Sequence, residues 1–187
     1  MEKYAEEHKV PILSWQSADF LEILIKIMEP KRVLEIGNAI AYSSIRIARN
    51  LKKKSTLQTI ELSEDNIAIA KENINKSGLG GKIELLEGDA LNIMPRLEKK
   101  YDFIFLDADK EDYRRLFDYS MILLKKSGVI FVDNLLWHGY AAVKKVPLNY
   151  RESAKHIKEF NEAFLSQKNL KTTIIPVGDG IGLGIKG

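Results

Sequence analysis

The sequence contains no cysteine in its 187 residues. Disulfide bonds, zinc–thiolate sites and cysteine nucleophiles are therefore excluded. The absence of cysteine favours a protein that works in a reducing compartment. No apolar run approaches the roughly 20 residues that a membrane-spanning helix needs. The charged stretch 1–9 also lacks the apolar core of a signal peptide. These absences predict a cytoplasmic protein with no membrane partner.

Neither sign of charge dominates the chain. Lysine and arginine total 29 against 26 aspartates and glutamates, which gives a net charge of +3. Such a mildly basic chain permits a nucleic-acid partner without requiring one. The hydrophobic fraction of 45% is too high for a disordered protein, and the length suits one core. We therefore predict a single domain over residues 1–187.

Short apolar runs alternate with helical patterns. The runs 32–36, 56–61, 83–86, 103–106 and 129–132 are nearly continuous, as expected for strands buried on both faces of a parallel sheet. Helices are predicted between and after them at 17–28, 43–51, 63–78, 112–124 and 152–165. This alternation is typical of an α/β, doubly wound, Rossmann-like fold.

The end of the chain has a different pattern. Two strand-like runs, 171–176 and 181–186, are joined by the turn 177–180 (VGDG), which indicates a hairpin. We predict a mostly parallel, seven-stranded sheet that ends in a C-terminal antiparallel hairpin strand. An all-parallel dehydrogenase sheet would not end in this way.

The loop after the first strand is poor in glycine. Ligands of doubly wound sheets bind beyond the carboxyl ends of the strands. Here that loop reads GNAIAYS and has only Gly37, so a nicotinamide or flavin oxidoreductase is poorly supported. Glu61 ends the second strand, where a carboxylate can bind an adenosine ribose; an ordinary surface glutamate is the alternative. Asp89, after the third strand, could accept from an adenine amino group, cap a helix, or do both.

Oxygen-bearing side chains follow the fourth and fifth strands. Asp107 follows the fourth, and Asp133 and Asn134 follow the fifth, so all three are expected at one sheet edge. Three oxygen ligands suit Mg²⁺ or Mn²⁺, and two converging carboxylates repel each other unless a cation joins them. Lys110, close behind Asp107, is a candidate general base. Ordinary loop aspartates are the alternative, but they do not explain this combination at two strand ends.

These residues resemble the cation-dependent class I O-methyltransferases, the family of catechol and caffeoyl-CoA O-methyltransferases. The resemblance covers about residues 9–186. It is carried by VLEIG (33–37), TIE (59–61), GDA (88–90), FLDADK (105–110), VDNLLWHG (132–139) and PVGDG (176–180). It implies S-adenosylmethionine as cofactor, Mg²⁺ or Mn²⁺ as metal, and a homodimer.

The resemblance also implies residue roles. Asp107, Asp133 and Asn134 would hold the metal, and Lys110 would be the catalytic base. The cofactor-binding set would be Leu13, Glu35, Gly37, Ser43, Glu61, Asp89 and Asp107. We expect Tyr113, Trp137 and His138 to frame the acceptor, with packing within the loop as the equal alternative for Trp137 and His138.

Two other stretches bear on the acceptor. YAEEHKVPI (4–12) and NAIAYSSIRIA (38–48) resemble the bacterial tRNA 5-hydroxyuridine methyltransferases within that family. They favour the 5-hydroxyl of a tRNA uridine as acceptor, and a small catechol-like molecule is the alternative. A tRNA would need cations for its phosphates, although a solvated helix face explains the same residues as well. The candidates are Lys144, Lys145, Arg151, Lys155 and Lys158.

Two positions depart from the family pattern. The family usually has threonine where Asn38 stands and glycine where Ala41 stands. If Ala41 adopts a positive φ, its methyl group costs about 1 kcal/mol or more, and it could crowd the methionine end of the cofactor. Ala41 is the one feature that favours a third reading, an RNA-binding or assembly protein whose catalytic site has decayed.

Overall fold

The computed structural model describes all 187 residues and has a seven-stranded sheet at its centre. The strands are β1 (Arg32–Ile36), β2 (Thr56–Glu61), β3 (Ile83–Glu87), β4 (Tyr101–Leu106), β5 (Leu124–Val132), β6 (Leu170–Ile175) and β7 (Ile181–Lys186). Their order across the sheet is β3-β2-β1-β4-β5-β7-β6. Strands β1 to β5 pair in parallel, and β7 pairs antiparallel with both β5 and β6. The predicted doubly wound sheet and its antiparallel hairpin strand are confirmed.

Seven α-helices accompany the sheet. They are α1 (Glu2–His8), α2 (Trp15–Met28), α3 (Tyr42–Asn50), α4 (Glu64–Ser77), α5 (Ala90–Ile93), α6 (Tyr113–Leu123) and α7 (Arg151–Leu165). Local sequence signals define several of their ends. Ser63 caps α4 by accepting from the Asn66 amide at 3.4 Å, and Gly78 ends α4 with a φ of 71°.

The short helix α1 was not predicted. Of its residues only Ala5 is buried, so the stretch has no apolar stripe that would reveal a helix. The one-turn helix α5 follows Asp89, whose Oδ1 accepts from the Leu91 amide at 2.8 Å. The capping role predicted for Asp89 is therefore confirmed.

The core lies on both faces of the sheet. Along β4, Phe103 and Phe105 pack into one apolar cluster, while Ile104 and Leu106 pack into the other. All four side chains are fully buried, which explains why the central strands are continuous apolar runs. None of the helices has the length and apolar character needed to cross a membrane.

Candidate active site

The carboxyl ends of the parallel strands border a cavity of about 910 Å³. The sheet ladder continues one residue past its strands, because the Asp107 amide donates to Ile36 O at 2.9 Å and the Asp133 amide to Leu106 O at 3.1 Å. Most predicted site residues line this cavity. They are Leu13, Gly37, Ser43, Glu61, Asp89, Asp107, Lys110, Asp133 and Asn134. Of the residues predicted to bind the cofactor or metal or to act as base, only Glu35 lies outside the lining.

Gly37 makes the closest backbone approach in the site. Its φ is 93°, and a Cβ atom built there would lie 1.7 Å from the carbonyl oxygen of Asp107. Only glycine can therefore bring the β1–α3 loop against the end of β4. The close approach of Gly37 to Asp107 fixes the position of this loop at the bottom of the cavity.

Glu61 supports the loop with its carboxylate. Its Oε2 accepts from the amides of Asn38 at 3.2 Å and Ala39 at 2.7 Å. Its Oε1 accepts from the amides of Leu62 at 3.1 Å and Ser63 at 2.9 Å. A ribose hydroxyl bound here would share these oxygens with the backbone, and Glu61 would then link the shape of the loop to ligand binding.

Glu35 lies beneath the same loop and is fully buried. Its Oε2 accepts from the hydroxyls of Ser44 and of Thr59, the latter at 2.6 Å. Asn38 Nδ2 donates to those two hydroxyls in turn, at 2.7 and 3.1 Å. Burial raises the pKa of Glu35 to about 7. Glu35 thus contributes to the pocket by supporting the β1–α3 loop from beneath, and its side chain does not line the cavity.

Ala41 has the left-handed backbone that the sequence led us to suspect. Its φ is 69°, directly before α3. Its methyl group is fully buried in the apolar core and is absent from the cavity lining, so it does not crowd that space. Crowding of the cofactor by Ala41 therefore gives no support to a decayed site, and only the backbone strain at Ala41 remains.

Replacing Ala41 by glycine should change the stability of the protein by less than about 1 kcal/mol. Relief of the left-handed alanine is worth about 1–2 kcal/mol, whereas the freedom of unfolded glycine costs about 0.5–1 kcal/mol and the lost burial of the methyl group costs about 0.8 kcal/mol. Urea unfolding of Ala41→Gly measures the net effect. A loss of stability would show that the buried methyl group matters more than the backbone strain.

The three candidate metal ligands line the same cavity edge, where two of them, Asp107 and Asn134, contact Lys110. Its Nζ lies 2.7 Å from Asn134 Oδ1 and 3.4 Å from Asp107 Oδ1. Asp133 is 3% exposed, and its Oδ1 is buried without a hydrogen-bond partner. Burial, together with the negative charge of Asp107, raises the pKa of Asp133 to about 8.

This donor set fits a hard divalent cation. Unpaired, buried carboxylate oxygen is costly, and a cation shared by both aspartates would relieve it. No group of three or more Asp, Glu, His or Cys side chains is placed to hold a metal, so the third oxygen must come from an amide such as that of Asn134.

Tyr113 differs from our expectation. It is fully buried behind Lys110 and does not line the cavity, so it cannot frame an acceptor. Its hydroxyl donates to Asp133 O at 3.0 Å and accepts from Lys110 Nζ at 2.6 Å. Burial holds the pKa of Tyr113 well above its usual value, so this hydroxyl stays protonated. Trp137 and His138 do line the cavity, as predicted.

Asp179 is a cavity residue that the sequence analysis treated only as part of a turn. Its Oδ1 accepts from the His138 amide at 2.6 Å, and its Oδ2 is buried without a partner. The PVGDG motif was the available signal, because an aspartate between two glycines at a hairpin turn is free to point inward.

Comparison with known proteins agrees with this geometry. Caffeoyl-CoA O-methyltransferase 2 of Petunia hybrida is 34% identical over 182 residues, which span 91% of this chain and 74% of that protein. A solved caffeoyl-CoA O-methyltransferase candidate from Staphylococcus aureus superimposes with a TM-score of 0.94 at 32% identity, covering 100% of this chain and 90% of its own.

A second solved relative carries a ligand. The O-methyltransferase TomG of Streptomyces achromogenes, in complex with S-adenosylmethionine, has a TM-score of 0.86 at 27% identity and covers 97% of this chain and 85% of its own. The sequence model of the O-methyltransferase family matches residues 2–187. The strand-end cavity, its oxygen cluster and these matches lead to one conclusion: the chain belongs to the O-methyltransferase family.

Proposed function

We propose that this protein is an S-adenosylmethionine-dependent, divalent-metal-assisted O-methyltransferase. The observation that carries the proposal is the meeting of Asp107, Asp133, Asn134 and Lys110 at the edge of a cavity of about 910 Å³. TomG, which is similar in fold, was solved with S-adenosylmethionine bound. The cofactor supplies a methyl group on a positively charged sulfur, and the metal supplies charge that favours an ionised acceptor hydroxyl.

The lining residues suggest how the cofactor would be held. Glu61 would accept from the ribose hydroxyls, and Asp89 from the adenine amino group. Leu13 is 4% exposed and offers an apolar surface, while Gly37 and Ser43 border the loop that faces the strand ends. We assign no cavity contact to Glu35, which supports this loop through Thr59.

We propose that Lys110 receives the acceptor's proton, a role that requires its amine to be neutral in the metal-loaded site. An acceptor hydroxyl held at the oxygen cluster would lie near Nζ, which is already within 3.4 Å of Asp107 and 2.7 Å of Asn134. Tyr113 holds Nζ from behind, so the amine points to the cluster. A positioned base of this kind contributes about 10²–10⁴-fold in rate.

We infer that the acceptor is the 5-hydroxyl of a tRNA uridine. A groove next to the cavity is lined by five cationic side chains and two acidic ones. The cations are Lys144, Lys145, Arg151, Lys155 and Lys158. His138 at the cavity packs against the ring of Tyr150, with ring centroids 5.8 Å apart, and Tyr150 directly precedes the groove residue Arg151. Cations near aromatic rings suit an unpaired base and its phosphates.

A small catechol-like acceptor is the second candidate. The curated relatives favour it, because the Petunia hybrida protein is a caffeoyl-CoA O-methyltransferase. A catechol presents two neighbouring oxygens, as 5-hydroxyuracil does, so the oxygen cluster alone does not separate the two acceptors.

A salt-dependent transfer assay separates them. We would measure transfer from labelled S-adenosylmethionine to 5-hydroxyuridine-bearing tRNA and to caffeic acid, with Mg²⁺ or with a chelator. The proposal predicts that methylation of tRNA needs Mg²⁺ and weakens as the salt concentration rises. In a plot of the logarithm of tRNA affinity against the logarithm of salt concentration, the slope should become shallower by about 0.7 for each phosphate contact removed. The groove variant Lys144→Ala/Lys145→Ala/Lys155→Ala should reduce that slope.

The control variant is Lys52→Ala/Lys53→Ala/Lys54→Ala, which removes three lysines just before β2, at the opposite end of the strands. It should leave tRNA methylation unchanged. Methylation of caffeic acid alone, insensitive to the groove variant, would favour the catechol acceptor. Transfer that persists in the chelator would contradict the metal's role.

A further inference from the structure

We infer that Asp179 is a positioning residue of the acceptor site, through its hydrogen bond to the backbone of residues 134–139, here called the acceptor loop. This inference rests on the proposed function, since the loop borders the cavity where the acceptor would bind. Trp137 and His138 of the loop line that cavity. Their positions therefore decide the shape that an acceptor meets.

The acceptor loop has a strained backbone. The φ angles of Asn134, Trp137 and His138 are 62°, 47° and 54°, and none of these residues is glycine. Left-handed conformations in such residues persist only where the surroundings impose them. The loop therefore needs support from outside itself.

The β6–β7 hairpin gives that support. Leu135 N donates to Gly180 O at 2.9 Å, and Leu136 N donates to Asp179 O at 2.8 Å. A Cβ atom at Gly180 would lie 2.7 Å from Leu136 N, so the close approach depends on that glycine. The hairpin backbone thus holds the first half of the loop.

The cavity-lining half depends on a side chain instead. Asp179 Oδ1 accepts from the His138 amide at 2.6 Å. A charged acceptor makes a stronger hydrogen bond than a neutral one, which suits a strained donor. The Asp179 carboxylate therefore links the turn 177–180 to the part of the acceptor loop that lines the cavity.

Asn134 has its own anchor, because its Oδ1 accepts from Lys110 Nζ at 2.7 Å. Loss of Asp179 should therefore move Trp137 and His138 and leave the oxygen cluster in place. The expected kinetic result is a higher KM for the acceptor with little change in kcat.

The test compares Asp179→Ala with Asp179→Asn. Asparagine keeps an oxygen that can accept from the His138 amide, whereas alanine does not. The matched control is Asp118→Ala, which removes an exposed carboxylate of α6 that pairs with Arg114. One readout needs no substrate. In a Trp15→Phe background, Trp137 is the only tryptophan, and acrylamide quenching of its fluorescence reports how firmly the loop is held.

We expect quenching to rise at least about twofold in Asp179→Ala, to rise less in Asp179→Asn, whose neutral oxygen makes a weaker hydrogen bond, and to stay unchanged in the control. In the transfer assay, KM for the acceptor should rise about tenfold in Asp179→Ala, with kcat and cofactor affinity within about twofold. Unchanged quenching in Asp179→Ala would overturn the inference. Loss in Asp179→Asn equal to that in Asp179→Ala would also overturn it, because charge would then matter and not the hydrogen bond. If no acceptor is methylated, the proposed function fails, while the quenching result still decides the role of Asp179.

Discussion

Lys110→Met should lower kcat for methyl transfer by about 10²–10⁴-fold, the usual contribution of a positioned general base. Methionine keeps most of the unbranched aliphatic chain but cannot take a proton. The cofactor end of the cavity does not depend on this side chain, so affinity for S-adenosylmethionine should change by less than about twofold. Single-turnover transfer and a separate cofactor titration measure the two effects.

The control for this variant is Lys76→Met, which removes an exposed lysine of α4 that pairs only with Glu72. It should transfer methyl groups at the wild-type rate. If Lys110→Met also does so, Lys110 is not the base. If it loses cofactor affinity as much as rate, the role of Lys110 is structural.

Glu35→Gln should stabilise the protein at pH 8 by up to about 3 kcal/mol and leave its stability at pH 4 nearly unchanged. Burial raises the pKa of Glu35 from 4.5 to about 7 in the folded chain. Between these values the unfolded chain loses the proton and the folded chain keeps it. The contribution of Glu35 to the free energy of unfolding therefore falls as pH rises from about 4.5 to about 7. Glutamine does not titrate, so the variant does not lose this stability.

The local contacts suit a neutral glutamine. Its oxygen could still accept from the hydroxyls of Ser44 and Thr59, as the carboxylate does. Urea unfolding at several pH values between 5 and 8 measures the effect, with Glu98→Gln as an exposed control. A variant whose pH dependence equals that of the wild type would contradict the raised pKa.

The fold was largely predictable because its signals are local. Continuous apolar runs revealed β1 and β2 with correct bounds, and the turn 177–180 revealed the terminal hairpin. The left-handed backbone at Ala41 was also anticipated, from the glycine usual there. Each of these features depends on residues that are neighbours in sequence.

The missing parts of the site depend on distant contacts. Tyr113 looked like an acceptor contact, yet it is fixed behind Lys110 by the carbonyl of Asp133, which follows β5. Asp179 meets His138 across 41 residues of chain. No local pattern specifies such pairs, because they arise only when two loops meet at the sheet edge. The homodimer, the cytoplasmic location and the choice between Mg²⁺ and Mn²⁺ stay predictions.

Asn38 illustrates how a departure from a family pattern can be accommodated. Its amide nitrogen donates to Ser44 and Thr59, the same hydroxyls that donate to Glu35. The Asn38 side chain therefore belongs to the buried hydrogen-bond network under the loop. The loop backbone, and not this side chain, determines the shape of the cavity here. We expect cofactor binding to tolerate both Asn38 and Ala41.

The most direct test of the central claim is calorimetric titration of S-adenosylmethionine into the protein with Mg²⁺ present. The account predicts saturable binding of one cofactor per chain, weakened in Glu61→Gln because the ribose would lose a charged acceptor. Absence of binding at millimolar cofactor, with the protein folded, would contradict it and would leave the strand-end cavity without its proposed ligand.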